Sequence, residues 1–237
     1  MERRTKSSQK DAITTGAFFI TATVTAIIGL NLYEPVLNDT NILSAASANS
    51  NQIELGALFE LILAFANIGT GIMLFPFLRR YSESWGLAYA CFRLLEVVFI
   101  LIGIISLLSI VKLSQEYTGS ELASLQAAAK TLKTIHSWSF ILGPHFMLGI
   151  NTFIYSYIFY QSGLVPRKLS ILGLSGAVLI FIAAVQEILG YIPHFSAQII
   201  PYAFPIAIYE MILAVWLIRK GFNPEISGPV KYLSETY

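Results

Sequence analysis

The sequence predicts an all-α, polytopic membrane protein: a six-transmembrane-helix bundle with both termini cytoplasmic. Three observations carry that prediction. Only 12% of the residues are charged and 55% are hydrophobic, with a mean hydropathy of +0.66, far from the balance of a soluble chain. The apolar residues gather in six blocks that approach or exceed the roughly 20 residues needed to span a bilayer as helix. They lack the alternating runs of about 10 residues that mark membrane strands. Lys and Arg, finally, fall at alternate ends of those blocks, and this asymmetry orients a membrane chain.

The six blocks are residues 13–33, 54–77, 86–111, 134–160, 170–191 and 199–219, and they make one membrane domain over 1–237. Arg3, Arg4, Lys6 and Lys10 precede the first, which sets the N-terminus inside. That block is too long for a signal-peptide core, and the small residues Ser44-Ala45-Ala46-Ser47-Ala48 lie well beyond its end. It therefore reads as a retained span. The segment 34–52, rich in Asn, Ser and Ala, is the longest non-helical candidate and falls outside. The second block ends at Arg79 and Arg80 and the fourth at Arg167 and Lys168, on short cytoplasmic turns. Spans two and three, and four and five, are therefore expected as antiparallel neighbours.

Between spans three and four, Thr118-Gly119-Ser120-Glu121 has the form of a capping box. The spacing of Leu122, Leu125, Ala129 and Leu132 predicts a helix on the outer surface running into span four. Pro144 removes an N–H within span four and predicts a kink there. Pro193 is expected to end span five, and Pro201 and Pro205 to disturb the outer half of span six. Arg219 and Lys220 return the C-terminus to the inside.

Five acidic or basic side chains, histidines aside, lie inside these blocks rather than at their ends: Glu60, Arg93, Glu96, Glu187 and Glu210. Burying a charge in hydrocarbon costs several kcal/mol on most scales, so such residues face a bundle interior, find partners and mark function. At about 1.5 Å per residue, Glu210 falls near the midplane and Glu96 within about 5 Å of it. Arg93 and Glu96 share a helix face, as do Glu60 and Asn67. Glu60, Asn67, Arg93, Glu96 and Glu210 are thus the expected polar cluster. One Arg cannot neutralise three carboxylates, so a proton or a cation is needed among them. His136, Trp138 and Glu187 are candidate rim residues, with Glu187 reaching toward the interface. His145 falls nearly opposite His136 on an ideal helix and stays outside the expected site.

A net charge of +1 gives no electrostatic case for nucleic acid, and the single cysteine, Cys91, lies within a span and cannot form an intramolecular disulfide. HExxH, CxxC pairs, GxSxG and a Gly-rich phosphate loop are all absent from the sequence. No metal or cofactor is implied by a motif.

Several stretches together resemble one bacterial family. They include Leu58-Phe59-Glu60-Leu61 with Asn67-Ile68-Gly69, Phe92-Arg93-Leu94-Leu95-Glu96, His136-Ser137-Trp138, Leu142-Gly143-Pro144, Leu164-Val165-Pro166-Arg167 and Pro205-Ile206-Ala207-Ile208-Tyr209-Glu210. The Trp216-Leu217-Ile218 and Gly221-Phe222 ending continues the match. The chain resembles the integral membrane proteins grouped as domain of unknown function 4386. The resemblance implies a bacterial inner-membrane location and includes Glu60, Arg93, Glu96, His136, Pro144 and Glu210 in its pattern. Ser137 departs from it, since an acidic residue often follows the histidine. The family name carries no activity.

Three functions remain open to the sequence. The first is a pocket binding a proton, cation or small amphiphile for transport or sensing. The second is an intramembrane, lipid-acting enzyme, metal-dependent if His136 meets the carboxylates. The third is a helper whose buried charges only fix helix packing. Beyond the lipid bilayer, the expected partners are a second copy of the chain or another membrane protein.

Overall fold

The computed structural model describes residues 2–116, 122–194 and 196–223, with side chains from residue 9 onward. The described residues are helical, without strands. In chain order the helices are α1 (Glu2–Leu37), α2 (Ile42–Ala48), α3 (Ser50–Tyr81), α4 (Glu83–Gln115), α5 (Leu122–Phe140), α6 (Leu148–Ser162), α7 (Arg167–Ile188) and α8 (Ile200–Lys220). A π-helical segment, Ile141–Met147, joins α5 to α6, and a 3₁₀ turn, Ala197–Ile199, leads into α8. Five helical stretches are long and apolar enough to cross a membrane: Gln9–Leu37, Ser50–Tyr81, Glu83–Gln115, Arg167–Ile188 and Ala197–Lys220. The apolar block at 134–160 is instead divided among α5, the π segment and α6.

Heptad-like seams explain the packing. Along α4 the buried positions are Tyr89, Arg93, Glu96, Ile100, Gly103, Leu107, Ile110 and Ser114, stepping by three and four. Along α3 the buried residues Ile53, Glu60, Asn67 and Leu74 recur every seventh position. Such stripes drive neighbouring helices together at shallow angles. The polar residues occupy seam positions, so packing the seams brings them inside. Around the molecule α1 packs on α3, α3 on α4, α4 on the α5–π–α6 rod, that rod on α7, α7 on α8, and α8 back on α1. The helices close a ring in chain order. Outward-facing Leu58, Phe65, Ile72, Leu94, Ile105 and Phe204 remain exposed, as lipid contact requires.

The two ends of the ring differ. The end near the termini is filled by Phe19, Leu74, Leu78, Tyr89, Tyr155, Phe159, Tyr209 and Leu217, all fully buried. The opposite end, called distal below, carries the connections α1–α2–α3, α4–α5 and α7–α8.

Two local expectations are corrected and one is met. The segment 34–52 is mostly helical: α1 persists to Leu37, and α2 follows with Asn41 as its N-cap, accepting the Ser44 N–H at 3.3 Å. The Asn and Ser residues there act as caps around an Ala-rich turn whose Ile42, Leu43 and Ala46 are buried. Residues 122–133 form the expected helix, on the surface with only Ala129 buried and running on into the 134–160 block. They are the start of α5, whose Ala129 is buried with α2 and the end of α4, while Leu125 and Leu132 pack against that cluster. The capping-box stretch 118–121 lies outside the described residues.

The second correction concerns Pro193, which does not end α7. The helix stops at Ile188 in a Schellman motif, with Gly190 at φ 77°, Gly190 N–H donating to Glu187 O (3.1 Å) and Tyr191 N–H to Gln186 O (2.9 Å). Pro201, at the first turn of α8, costs no helical bond. Pro144 sits in the π segment, where a wider turn accommodates the missing N–H.

Candidate functional site

A cavity of about 240 Å³ lies inside the ring, and every wall contributes to it. The five residues expected as the polar cluster, Glu60, Asn67, Arg93, Glu96 and Glu210, all line it. They divide by their bonding into two kinds.

Asn67, Arg93 and Glu96 belong to a saturated tie between helices. Arg93 Nη1 meets Glu96 Oε2 at 2.8 Å on adjacent turns of α4. From α3, the Asn67 side-chain amide donates to Glu96 Oε1 at 3.0 Å. From α6, Asn151 donates to Glu96 Oε2 at 2.7 Å. Arg93 Nε donates to Thr70 Oγ1 at 3.0 Å, and more weakly to Asn67 O at 3.4 Å. Glu96 thus accepts from three helices, and hydrogen bonds to charged groups contribute about 1.5–3 kcal/mol each where both partners are shielded. The Arg93 stem passes beside Gly71, where an added Cβ would stand in ordinary contact at 3.5 Å from Arg93 Cγ.

Glu60 and Glu210 are different. Neither carboxylate makes an ion pair among the described residues, and both open on the cavity. Glu60 is 92% buried by the complement of its 8% exposure. It faces the Tyr33 ring of α1, whose hydroxyl feels the Glu60 charge but makes no hydrogen bond of good geometry. Glu210 is half-buried and near enough to Arg93 and Glu96 to feel both charges. With Arg93 occupied by Glu96, the cavity holds two carboxylates with no counter-charge. The remaining walls are apolar or small: Ala22, Ala26, Leu63, Ile100, Ile180 and Ile206.

A second cavity of about 620 Å³ lies toward the distal end, lined by α1, the segment entering α8, Phe140, His145 and Glu187. Leu30, Phe140, His145, Ala203 and Ala207 border both cavities, so the larger is a vestibule to the smaller. At their junction His145 Nδ1 lies 2.6 Å from Glu187 Oε2. This corrects the expectation that Glu187 reaches the interface: it is 2% exposed and paired with the histidine that sequence reasoning set aside. Its burial was written in the stripe Gly173, Gly176, Ile180, Ala183 and Ala184, which continues at helical spacing to Glu187.

His136 is buried and lines neither cavity; its Nδ1 stands 3.2 Å from Gly103 O, and its ring meets Tyr33 edge-on at 5.8 Å. Trp138 is 38% exposed and lies against His194 at 5.2 Å. Of the three expected rim residues, Glu187 lines the larger cavity, and His136 and Trp138 line neither. Among the described residues no three His, Cys, Asp or Glu side chains converge at metal-ligand spacing.

Sequence reasoning missed Asn151 and the residues beneath it. The polar stripe Asn151, Thr152, Tyr155 and Ser156 on α6 was the available signal, with like residues four positions apart. Tyr155 stacks on Tyr209 at 6.0 Å and meets Tyr89 edge-on at 5.8 Å, and Ser156 donates to the Tyr209 hydroxyl at 2.9 Å. This aromatic layer closes the cavity toward the termini. Gly173 permits it, because a Cβ there would collide with Tyr209 and Ser156.

Comparison with the curated proteins gives no match, and comparison with the solved structures gives none either. The family model described as "Domain of unknown function (DUF4386)" matches residues 14–221, which contain both cavities and every residue of the polar cluster. The chain belongs to that family.

Proposed function

We propose that this protein is a single-domain, six-span protein of the bacterial inner membrane that binds a proton, a cation or a small amphiphile in its central cavity, for transport or sensing. One observation carries the reading. Glu60 and Glu210 face a closed-bottomed intramembrane cavity whose one guanidinium, Arg93, is bonded to Glu96, which leaves two carboxyl groups in excess. An uncompensated carboxylate at membrane depth is costly and marks a site where positive charge is received. A sixth crossing is supported by the α5–π–α6 rod, which continues without a break and lies between α4 and α7, beside helices that span. The basic turns at Arg79–Arg80, Arg167–Lys168 and Arg219–Lys220 support cytoplasmic termini.

A lipid-acting enzyme centred on His136 and the carboxylates has less support, since His136 lies outside both cavities. The saturated tie of Asn67, Arg93 and Glu96 does favour a packing role for those three residues, alongside a binding role for the two open acids.

The test is thermal unfolding in mild detergent against increasing methylammonium, sodium, potassium and protons. A ligand of the folded state raises the midpoint in proportion to the logarithm of its concentration above Kd. The wild type is expected to respond to at least one of these, and the Glu60→Gln/Glu210→Gln variant to lose that response. Identical curves for the two proteins under every condition would sink the reading.

A further inference from the structure

Resting on that reading, we infer that the ligand is a single-chain cationic amphiphile, an amine dissolved in the bilayer, which reaches Glu60 and Glu210 sideways through a portal between the distal halves of α1 and α8.

The portal follows from how those two helices approach each other. Near the termini they touch: an added Cβ on Gly16 would stand 2.6 Å from Ala214 O and 2.8 Å from Ile218 Cγ1. Gly221 likewise faces Ala12, at 4.0 Å. Toward the distal end they part. The inner cavity is walled by Ala22, Thr23, Ala26, Ile27 and Leu30 of α1 and by Ala203, Ile206, Ala207 and Glu210 of α8. The vestibule then continues between Leu30–Leu37 on one side and Ile199–Ala207 on the other. The gap is a wedge, closed at Gly16 and open beyond Glu210.

Its flanks are apolar and exposed: Ile27 is 58%, Ile200 58% and Phe204 60% accessible. A water-filled mouth is lined by polar residues, whereas these edges suit acyl chains. The floor, by contrast, is acidic. Glu60 is more than nine-tenths buried, has no ion-pair partner among the described residues, and opens on the inner cavity. Glu34 and Glu187 add carboxyl groups along the vestibule, with Glu187 engaged by His145.

Charge and shape then select the ligand. The carboxylates repel fatty acids and attract ammonium heads. The inner cavity, about 240 Å³, is below the usual ligand-pocket range of about 300–1,000 Å³ and suits a head group. The vestibule, about 620 Å³, has an apolar side of Leu30, Leu37, Phe140, Ile199 and Phe204 that suits the chain, and a polar side that includes Asn31, Glu34 and Asn38.

The full-length protein in phosphatidylcholine nanodiscs tests this with three probes: radiolabelled dodecylamine, dodecanoate and methylammonium. Dodecylamine is expected to bind and dodecanoate not. Glu210→Gln should weaken dodecylamine by about ten-fold or more, the loss of roughly one charge-assisted contact. Ala207→Trp, placed at an exposed α8 position beside the portal, should slow dodecylamine association by about ten-fold and methylammonium by less. A dodecylamine with a photoreactive group at its chain end should label α1 and α8 in the wild type, a readout independent of whether the Trp variant folds. Tight, carboxylate-dependent methylammonium binding with no added affinity for dodecylamine would overturn the lateral route and leave the cavity reading standing. So would an Ala207→Trp variant that delays neither amine, or labelling spread evenly over the lipid-facing helices. Failure of both amines to bind in a carboxylate-dependent way would overturn the amine inference, while the cavity reading stands or falls on the unfolding response to sodium, potassium and protons.

Discussion

Among the five residues of the polar cluster, bonding predicts different responses to the same chemical change. Glu96 accepts from Arg93, Asn67 and Asn151, so its charge is compensated from three sides. Removing one partner of a buried pair strands the other and costs about 3–5 kcal/mol. Arg93→Met should destabilise by that amount in a reversible unfolding assay in detergent. Arg93→Met combined with Glu96→Gln should recover at least half of the loss, because no charge is then stranded. Glu60→Gln should behave oppositely: with no ion-pair partner to strand and the desolvation of a charge relieved, its unfolding midpoint should be unchanged or higher than wild type. A midpoint lowered as far by Glu60→Gln as by Glu96→Gln would show that Glu60 has a structural partner. The identity of these residues was legible in the sequence, because a charge within an apolar block stands out against its neighbours. The division into tied and open acids was not, because it depends on Thr70 and Asn151, ordinary polar residues whose meaning appears only once α3, α4 and α6 meet.

A single π segment governs the middle of the fold. In an uninterrupted α-helix, His136 and His145 lie on nearly opposite faces, and they do contact opposite neighbours here, Gly103 of α4 and Glu187 of α7. The wide turn at Ile141–Met147 accommodates Pro144 and presents His145 to Glu187. A charge-assisted hydrogen bond of this kind is worth about 1.5–3 kcal/mol. A double-mutant cycle of His145→Ala and Glu187→Ala should recover a coupling in that range. In a Pro144→Ala background the turn can tighten to α, and the coupling should fall below about 0.5 kcal/mol. An undiminished coupling there would assign the π turn to packing by α4 and α7 rather than to proline. The sequence announced a break at Pro144, but not its form. Kink and π turn begin from the same missing N–H, and the neighbouring helices decide between them. The end of α7 was misread for a related reason. Pro193 is a conspicuous stop, yet Gly190 had already ended the helix through its positive φ.

At the scale of the whole molecule, ring order and crossing number constrain each other. Short turns made α3 with α4, and α6 with α7, readable as neighbours, but nothing local in the sequence states that α8 returns to α1. That closure depends on seams meeting across the chain's full length, and it creates both the cavity and the wedge beside it. The number of crossings is testable through where the turns emerge. If the α5–π–α6 rod crosses the membrane, the connections at Glu83 and Lys168 lie on one side, and those at Thr40 and Tyr191 on the other. If it does not cross, Glu83 and Lys168 lie on opposite sides, and Thr40 and Tyr191 also separate. All four positions are exposed. Single cysteines at each, in a Cys91→Ser background, report this with a membrane-impermeant maleimide on intact and permeabilised cells. Six crossings with cytoplasmic termini require Thr40→Cys and Tyr191→Cys to label in intact cells, and Glu83→Cys and Lys168→Cys to label only after permeabilisation. Labelling of Glu83→Cys and Lys168→Cys from opposite faces would reduce the count to five. It would also take the π segment out of the bilayer, and the polar cavity it walls would then need water where the six-span arrangement has lipid at its portal.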